Sequence, residues 1–197
     1  MLQQFQKAAL STTTLSATKS PSPANHQGVK PDPFAFRWEP INAFIREAMP
    51  LFRRHHAALI NIPNAPFDPD FERYYALERM GHLVVLTLRY DGLLVGYSFW
   101  TLAPHAFHAS LFAATNETYW IDEAYRSGSI GLKLFKLAEQ GLRKLGVKLL
   151  FSYAQLGFAD GGVGKILEHL GWLPMDQTYI KDLRDEQRTD PAALPVR

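Results

Sequence analysis

A pattern typical of phosphate binding occupies the middle of the chain, at residues 126–131 with the sequence RSGSIG. The apolar residues YWI at positions 119–121 precede it, and a long amphipathic stretch follows it. This order predicts a strand, a loop rich in backbone N–H donors, and the start of a helix. The first N–H groups of a helix have no partner inside the helix, and the helix dipole adds partial positive charge there. The loop is therefore predicted to bind an anion.

The spacing of Arg126, Ser129 and Gly131 resembles the central motif of the GNAT acetyltransferases, which reads Arg/Gln-x-x-Gly-x-Gly/Ala. Serine stands where that family usually has a glycine, and Gly128 is expected to absorb the backbone conformation that serine disfavours. In the family the loop amides hold the pyrophosphate of acetyl-CoA, and a backbone N–H at the end of the preceding strand meets the thioester carbonyl. The resemblance thus implies acetyl-CoA as co-substrate. The implied cofactor-binding residues are Ile121, Arg126, Ser127, Gly128, Ser129, Ile130, Gly131 and Asp160.

Acetyl transfer to an amine needs a base for the amine proton and an acid for the leaving thiolate. Glu117, at the start of the motif strand, is the predicted base, and His105 and His108 are second candidates because histidine titrates near neutral pH. In many family members the acid is a tyrosine of the last helix. The matching segment ILEHLGW has Leu167 at that position, so Tyr153 on the preceding strand is the predicted substitute. The alternatives are a solvated strand end for Glu117 and core packing for Tyr153.

The segment GGVGK at residues 161–165 resembles the end of a nucleotide-binding P-loop. That motif requires glycine at position 159 and Ser or Thr at position 166, where this chain has alanine and isoleucine. The segment is therefore interpreted as a turn, and Asp160 beside it is expected near the pantetheine arm of the co-substrate. The chain has no cysteine, and its histidines lack metal-site spacing with carboxylates, so no metal is predicted.

Apolar periodicity and turn signals predict the elements that position these residues. Pro50 is expected to kink or split the first helix, Asp91-Gly92 predicts a hairpin turn, and residues 103–116 are left unassigned. The mixed α/β order resembles the GNAT fold, a mixed and mostly antiparallel sheet flanked by helices, across residues 34–183. Predicted strands cover residues 34–38, 82–90, 93–102, 119–121, 148–154 and 178–183, and predicted helices cover residues 41–56, 71–80, 129–145 and 163–170.

Composition divides the chain into three parts. Residues 1–32, rich in Ser, Thr and Pro, are expected to form a disordered arm, residues 33–184 the GNAT-like domain, and residues 185–197 a flexible tail. The arm contains no arginine, which favours a docking role over an organelle-targeting one. A docking partner for the arm and a homodimer are left open.

The overall composition excludes several classes of protein. A hydrophobic fraction of 47% supports a packed core, and a net charge of +2 argues against a dedicated nucleic-acid surface. No apolar run is long enough to cross a membrane. The lack of cysteine fits a reducing compartment. The expected location is the cytoplasm of a bacterium or of a phage-infected cell, with virion association as the alternative.

Two functions follow from the resemblance. The first is an N-acetyltransferase that moves acetyl from acetyl-CoA to a primary amine of a small molecule, a protein N-terminus or a lysine. The second is a GNAT-fold protein of weak or lost activity with a structural or binding role, because Ser129, Asp160 and Leu167 depart from the family pattern. The motif also resembles those of short phage-encoded GNAT-like proteins.

These two functions make different structural predictions. The enzyme should have an open acceptor cleft beside Glu117 and a splayed strand pair at Ile121 and Lys148. The binding protein could fill that cleft with aromatic side chains, of which the candidates are Phe107, Trp100 and Trp120.

Overall fold

The computed structural model describes residues 32–58, 65–154, 162–181 and 183. Within these residues the chain forms β1 (Phe34–Trp38), α1 (Ile41–Ala58), α2 (Phe71–Arg79), β2 (Leu83–Tyr90), β3 (Leu93–His105), β4 (His108–Ile121), a short 3-10 helix (Glu123–Tyr125), α3 (Ile130–Lys144), β5 (Leu149–Phe151) and α4 (Gly162–His169). None of the helices in this part of the chain is long and apolar enough to cross a membrane.

The strands form one sheet in the order β1-β2-β3-β4-β5. The first three neighbouring pairs are antiparallel, and β4 and β5 are parallel. A parallel pair needs a crossover connection, and α3 supplies it between β4 and β5. The mixed, mostly antiparallel sheet flanked by helices confirms the predicted fold class.

Side chains that alternate along the strands build a core on each face of the sheet. On β2, Leu83 and Val85 pack under α1 and α2, whereas Leu86 and Leu88 pack under α3 and α4. Helix α1 buries one stripe along its whole length and runs unbroken through Pro50, so the predicted split is wrong. Both halves of α1 pack on the same sheet face, and this burial outweighs the one backbone hydrogen bond that proline removes.

The structure assigns one segment that the sequence left open and contradicts one predicted strand. The unassigned residues 103–116 extend β3 and β4 into one long hairpin. The predicted strand 178–183 is wrong for its described residues, where Tyr179, Ile180 and Leu183 are 83%, 61% and 75% exposed. A strand is stable only when a neighbour pairs with its backbone. Since β5 pairs over three residues with β4 alone among the described strands, the apolar pattern of 178–183 gains no partner there.

A buried ionic cluster fixes α1 to the β2–β3 hairpin. Arg89 is 8% exposed, and its Nε and Nη1 lie 3.1 Å and 2.9 Å from carboxylate oxygens of Glu39 and Glu47. Nη1 also donates to the Gly92 carbonyl at 2.9 Å, and the Leu94 amide donates to Glu47 at 2.8 Å. The cluster therefore sets the position of α1, whose other end reaches the candidate site.

Candidate functional site

Strands β4 and β5 separate part of the way along the sheet. They pair from Ala113 with Leu149 to Thr115 with Phe151, after which β4 continues to Ile121 while residues 152–154 are not strand. The predicted separation of the strands at Ile121 and Lys148 is wrong for Lys148. Its N–H donates to the Phe112 carbonyl of β4 at 2.7 Å, so the strands are still together there. The pairing ends at Thr115 and Phe151, so among the described residues the part of β4 beyond Thr115 has an open edge on this side.

A β-bulge in β4 places Glu117 at this opening. Phe99 pairs with Thr118 and the next residue of β3 pairs with Asn116, so Glu117 has no partner of its own. Asn116 is 3% exposed, and its Nδ2 donates to Ser98 Oγ at 3.0 Å and to the Phe99 carbonyl at 3.1 Å. Glu117 is exposed and accepts a hydrogen bond from Thr101 Oγ1 at 2.9 Å. A buried amide thus holds the bulge, and the bulge presents the carboxylate.

The loop before α3 presents unpaired backbone donors. Gly128 has φ of 57°, the left-handed region that the sequence assigned to it, and this leaves Ser129 at an ordinary φ of −98°. The Ser129 side chain makes no capping bond. Within the described part of the chain, four backbone N–H groups at this helix terminus donate to no other group. They belong to Gly128, Ser129, Gly131 and Leu132. Such amides at a helix N-terminus can bind an anion.

The remaining predicted loop residues have mainly structural contacts. The Ser127 N–H donates to the Tyr125 carbonyl at 3.0 Å, and the Ile130 N–H reaches Ser127 only at 3.4 Å. The Ile130 side chain lies in the core. A Cβ on Gly131 would lie 3.1 Å from Cδ1 of Ile166, so this glycine lets α4 approach α3 closely.

The end of β4 leaves one more backbone donor facing the opening. The Asp122 N–H bonds the Val95 carbonyl of β3 at 2.8 Å, so strand alternation turns the N–H and carbonyl of Ile121 to the opposite edge. The Ile121 carbonyl accepts from Arg126 Nε at 2.7 Å, and the Arg126 guanidinium lies 4.1 Å from the centre of the Trp120 ring. The Arg126 side chain thus ties the loop to the strand, while the Ile121 N–H faces the unpaired edge.

The other catalytic candidates lie in different surroundings. Tyr153 is 65% exposed and follows β5, so the core-packing alternative is wrong for it. Leu167 is 7% exposed within the core. His105 and His108 stack at 5.0 Å at the tip of the β3–β4 hairpin, at the opposite end of β4 from the motif loop. Asp160 lies outside the described residues.

The aromatic candidates for filling the cleft do not lie in the opening. Phe107 is 89% exposed at the hairpin tip, and Trp100 is fully buried beside Phe135 of α3. Trp120 packs in the core under α1. Ser152, the first residue beyond β5, has a buried hydroxyl without a hydrogen-bond partner within the described structure.

Sequence reasoning missed His55, near the end of α1. Its Nδ1 lies 2.8 Å from the Tyr97 hydroxyl and 3.5 Å from Thr118 Oγ1, and its ring stacks on Trp120 at 4.7 Å. Burial first, and then the positive charges of Arg126 and His56, lower the pKa of His55 to about 4. The only sequence signal was its place on the inner side of an amphipathic helix, which does not distinguish a site residue from a core residue.

Glu117 shares this side of the sheet. Tyr74 of α2 packs against the same core, and burial together with the negative charge of Glu117 raises the pKa of its hydroxyl. Glu117 and His55 therefore both face the α1–α2 side of β4. Among the described residues, no group of three or more His, Asp or Glu side chains could hold a metal ion.

Solved structures of N-acetyltransferases have this fold. A ribosomal-protein-alanine N-acetyltransferase from Brucella melitensis biovar Abortus 2308 matches with a TM-score of 0.58 at 19% identity, over 76% of this chain and 99% of that one. An aminoglycoside acetyltransferase from an uncultured soil metagenomic sample, in complex with sisomicin, matches with a TM-score of 0.57 at 14% identity, over 78% and 96% of the two chains. A predicted acetyltransferase from Clostridium acetobutylicum, with acetyl-CoA, matches with a TM-score of 0.60 at 11% identity, over 76% and 96%.

The chain therefore has the GNAT N-acetyltransferase fold, as the motif resemblance implied. No protein-family model and no curated protein matches the sequence. The likeness to these enzymes is one of three-dimensional structure.

Proposed function

We propose that this protein is an acetyl-CoA-dependent N-acetyltransferase that moves an acetyl group to a primary amine. One observation carries the proposal: the edge of β4 beyond Thr115, which no described strand pairs with, is followed along the chain by the free amides at the N-terminus of α3. An acyl-CoA molecule has this same order of parts, an extended thioester arm followed by a pyrophosphate. A strand edge that lacks its neighbour suits the arm, and the helix terminus suits the anion.

The fit of the opening supports this proposal. Beyond Thr115 the outer edge of β4 has no described strand paired with it. The amide-bearing arm of acetyl-CoA would supply hydrogen-bonding groups along this edge. The four free amides before and within the first turn of α3 would hold the pyrophosphate, so the side chain of Ser129 is not needed for the interaction.

Named residues would then carry the chemistry. Glu117 accepts the proton of the incoming ammonium, directly or through water, so that the amine can attack the thioester carbonyl. The N–H of Ile121 donates to the carbonyl oxygen, where negative charge develops as the new C–N bond forms. The C–S bond breaks and Tyr153, exposed just beyond β5, supplies the proton that makes the leaving thiolate a thiol. The attacking nitrogen loses its second proton as the amide forms, and through water that proton restores the hydroxyl of Tyr153.

A GNAT-fold protein with weak or no activity and a binding role is the second candidate. It is favoured by Leu167, which occupies the position of the family's acid and is buried in the core, where it can donate no proton. Under this candidate acetyl-CoA binds, but no amine is acetylated.

Titration calorimetry with acetyl-CoA tests the binding step. Ser129 is exposed and its side chain makes no capping bond, so it can be replaced without loss of a contact. Ser129→Asp places a negative charge at the proposed anion site, and aspartate is a favourable residue at the N-terminus of a helix. We expect micromolar binding by the wild type and a loss of at least about tenfold in this variant, with an unchanged or higher melting temperature. Ser110→Asp makes the same change on an exposed part of β4 far from the loop and should leave binding unchanged. No binding by the wild type would refute the proposed function.

A further inference from the structure

The last turns of α1 press His55 against β3 and β4. The imidazole is parallel to the Trp120 ring within 18°, with the ring centres 4.7 Å apart. Its Nδ1 is held by the Tyr97 hydroxyl at 2.8 Å. A neighbouring ion pair between Arg54 and Asp122 joins the same turn of α1 to the end of β4. These contacts fix the orientation of the ring.

The contact with Tyr97 also determines which ring nitrogen carries the proton. Tyr97 is fully buried, and among the described residues its hydroxyl has no hydrogen-bond partner other than Nδ1, so the O–H group is satisfied only by donating to that nitrogen. Burial also raises the pKa of the hydroxyl above the usual range, which keeps it protonated. Nδ1 therefore accepts, and in the neutral ring the remaining proton lies on Nε2. The ring is neutral near pH 7 because burial and the charges of Arg126 and His56 lower its pKa to about 4.

The Nε2–H group is available for a ligand. Nε2 makes no hydrogen bond to a described residue, since both hydrogen-bond contacts of the ring involve Nδ1, and His55 is only partly buried. Thr118, half-buried beside the bulge, approaches Nδ1 of the same ring at 3.5 Å. The ring of His55 thus lies on the same side of β4 as Glu117, beside the residue that follows Glu117 along the strand.

We propose that His55 is an acceptor-binding residue whose Nε2–H donates a hydrogen bond to an oxygen atom of the amine substrate. The inference rests on the proposed acetyltransferase function and adds the class of acceptor. That class is an amine that also carries a hydroxyl or carbonyl oxygen, a chemistry that amino sugars and peptide N-termini share. A neutral donor suits this substrate, because a charged imidazolium would repel the ammonium group that Glu117 has to deprotonate.

The state of the ring is measured by nitrogen NMR on protein labelled with ¹⁵N-histidine. The chain has seven histidines, and the signal that His55→Asn removes identifies the one of interest. At pH 7 we expect a neutral ring protonated on Nε2, and in Tyr97→Phe we expect the two neutral forms to mix. A protonated ring, or a ring protonated on Nδ1 in the wild type, would overturn the proposal without any need for a substrate.

Transfer kinetics test the substrate class with three probes: glucosamine, alaninamide and cyclohexylamine, the last of which has no oxygen. Release of CoA is followed with a thiol reagent, to which the protein contributes no background because it has no cysteine. In His55→Asn the amide oxygen can still accept from Tyr97, but the outward donor is lost. His55→Gln is the matched control, because its amide nitrogen extends to about the position of Nε2.

We expect His55→Asn to lower kcat/KM roughly tenfold for glucosamine, alaninamide or both, to leave cyclohexylamine unchanged, and to leave acetyl-CoA affinity unchanged, with partial recovery in His55→Gln. Which of the two oxygen-bearing amines responds distinguishes an amino sugar from a peptide terminus. Three outcomes overturn the inference: equal losses for all three amines, transfer to cyclohexylamine alone, or transfer to none of the amines. In each of these cases the protein would still bind acetyl-CoA. Failure of the wild type to bind acetyl-CoA would instead refute the proposed function.

Discussion

Replacing Asn116 by aspartate tests whether one buried amide maintains the bulge that presents Glu117. Nδ2 of Asn116 donates to Ser98 Oγ at 3.0 Å and to the Phe99 carbonyl at 3.1 Å, with the Thr118 carbonyl at 3.4 Å. In Asn116→Asp an ionised oxygen would face two carbonyl oxygens at a site that is 3% exposed. The variant therefore loses the donor and adds a buried charge.

Two contributions set the size of the effect. Each buried acceptor left without a donor costs about 1–3 kcal/mol. Burial raises the pKa of the new carboxyl, and a rise of about two units above its unfolded value near 3.9 adds ~2.7 kcal/mol at neutral pH. The protonated acid can donate to a carbonyl, so the folded variant binds a proton more tightly than the unfolded chain. Its stability is therefore highest below about pH 4 and is lost as pH rises towards about 6.

Urea unfolding followed by the fluorescence of the four tryptophans measures this effect at pH 4.5 and pH 7.5. We expect Asn116→Asp to lose about 1.8 kcal/mol more, relative to the wild type, at the higher pH. Asn116→Ala removes the same hydrogen bonds without a titrating group, so its cost should be equal at the two pH values. Equal, pH-independent costs for both variants would refute the reasoning, since they would mean that water reaches the bulge.

Three further predictions follow from the packing and the proposed chemistry. Arg89→Met leaves two carboxylates without their cation and should lower the free energy of unfolding by about 3–5 kcal/mol, measured by urea unfolding; a cost under about 1 kcal/mol would show that the cluster is solvated. Gly141→Ala places a methyl group within the van der Waals radius of the Trp38 ring and should lower the free energy of unfolding by about 1–3 kcal/mol. Gly164→Ala meets only an ordinary contact at 3.8 Å and should raise the free energy of unfolding by up to about 1 kcal/mol. Melting temperatures measure both effects. Glu117→Gln should lower kcat/KM for amine acetylation by about 10²–10⁴-fold and leave the calorimetric Kd for acetyl-CoA unchanged. An unchanged kcat/KM, or an effect confined to the Kd for acetyl-CoA, would contradict the role of Glu117 as base.

The local parts of the site could be predicted from the sequence because they consist of contiguous residues. The loop and helix at residues 126–145 follow from turn residues and a helical stripe within one stretch, and Gly128 takes the left-handed φ that serine at the next position disfavours. The same locality explains the strand at residues 34–38 and the β2–β3 hairpin with its Asp91-Gly92 turn. Glu117 was a candidate only through its position before the motif.

Pairing between distant segments could not be predicted in this way. The bulge at Glu117 depends on which β3 residue faces each β4 residue, and a shift of one residue would bury its carboxylate instead. The splay was misplaced at Lys148 because its site depends on where β5 ends relative to β4. The strand predicted at residues 178–183 failed for the related reason that a strand pattern carries no information about an available neighbour.

The sequence by itself determined most of the order of elements and the helix N-terminus with its unpaired amides, since dihedral preferences and unpaired helix amides are properties of a short segment. Only the tertiary structure decided that β4 has an unpaired edge leading to that terminus, that Asn116 holds a bulge beside it, and that His55 reaches the same side. His55 is separated from Tyr97 and Thr118 by 42 and 63 residues. Contacts at such separations form only when burial of the α1 stripe against the sheet brings the segments together.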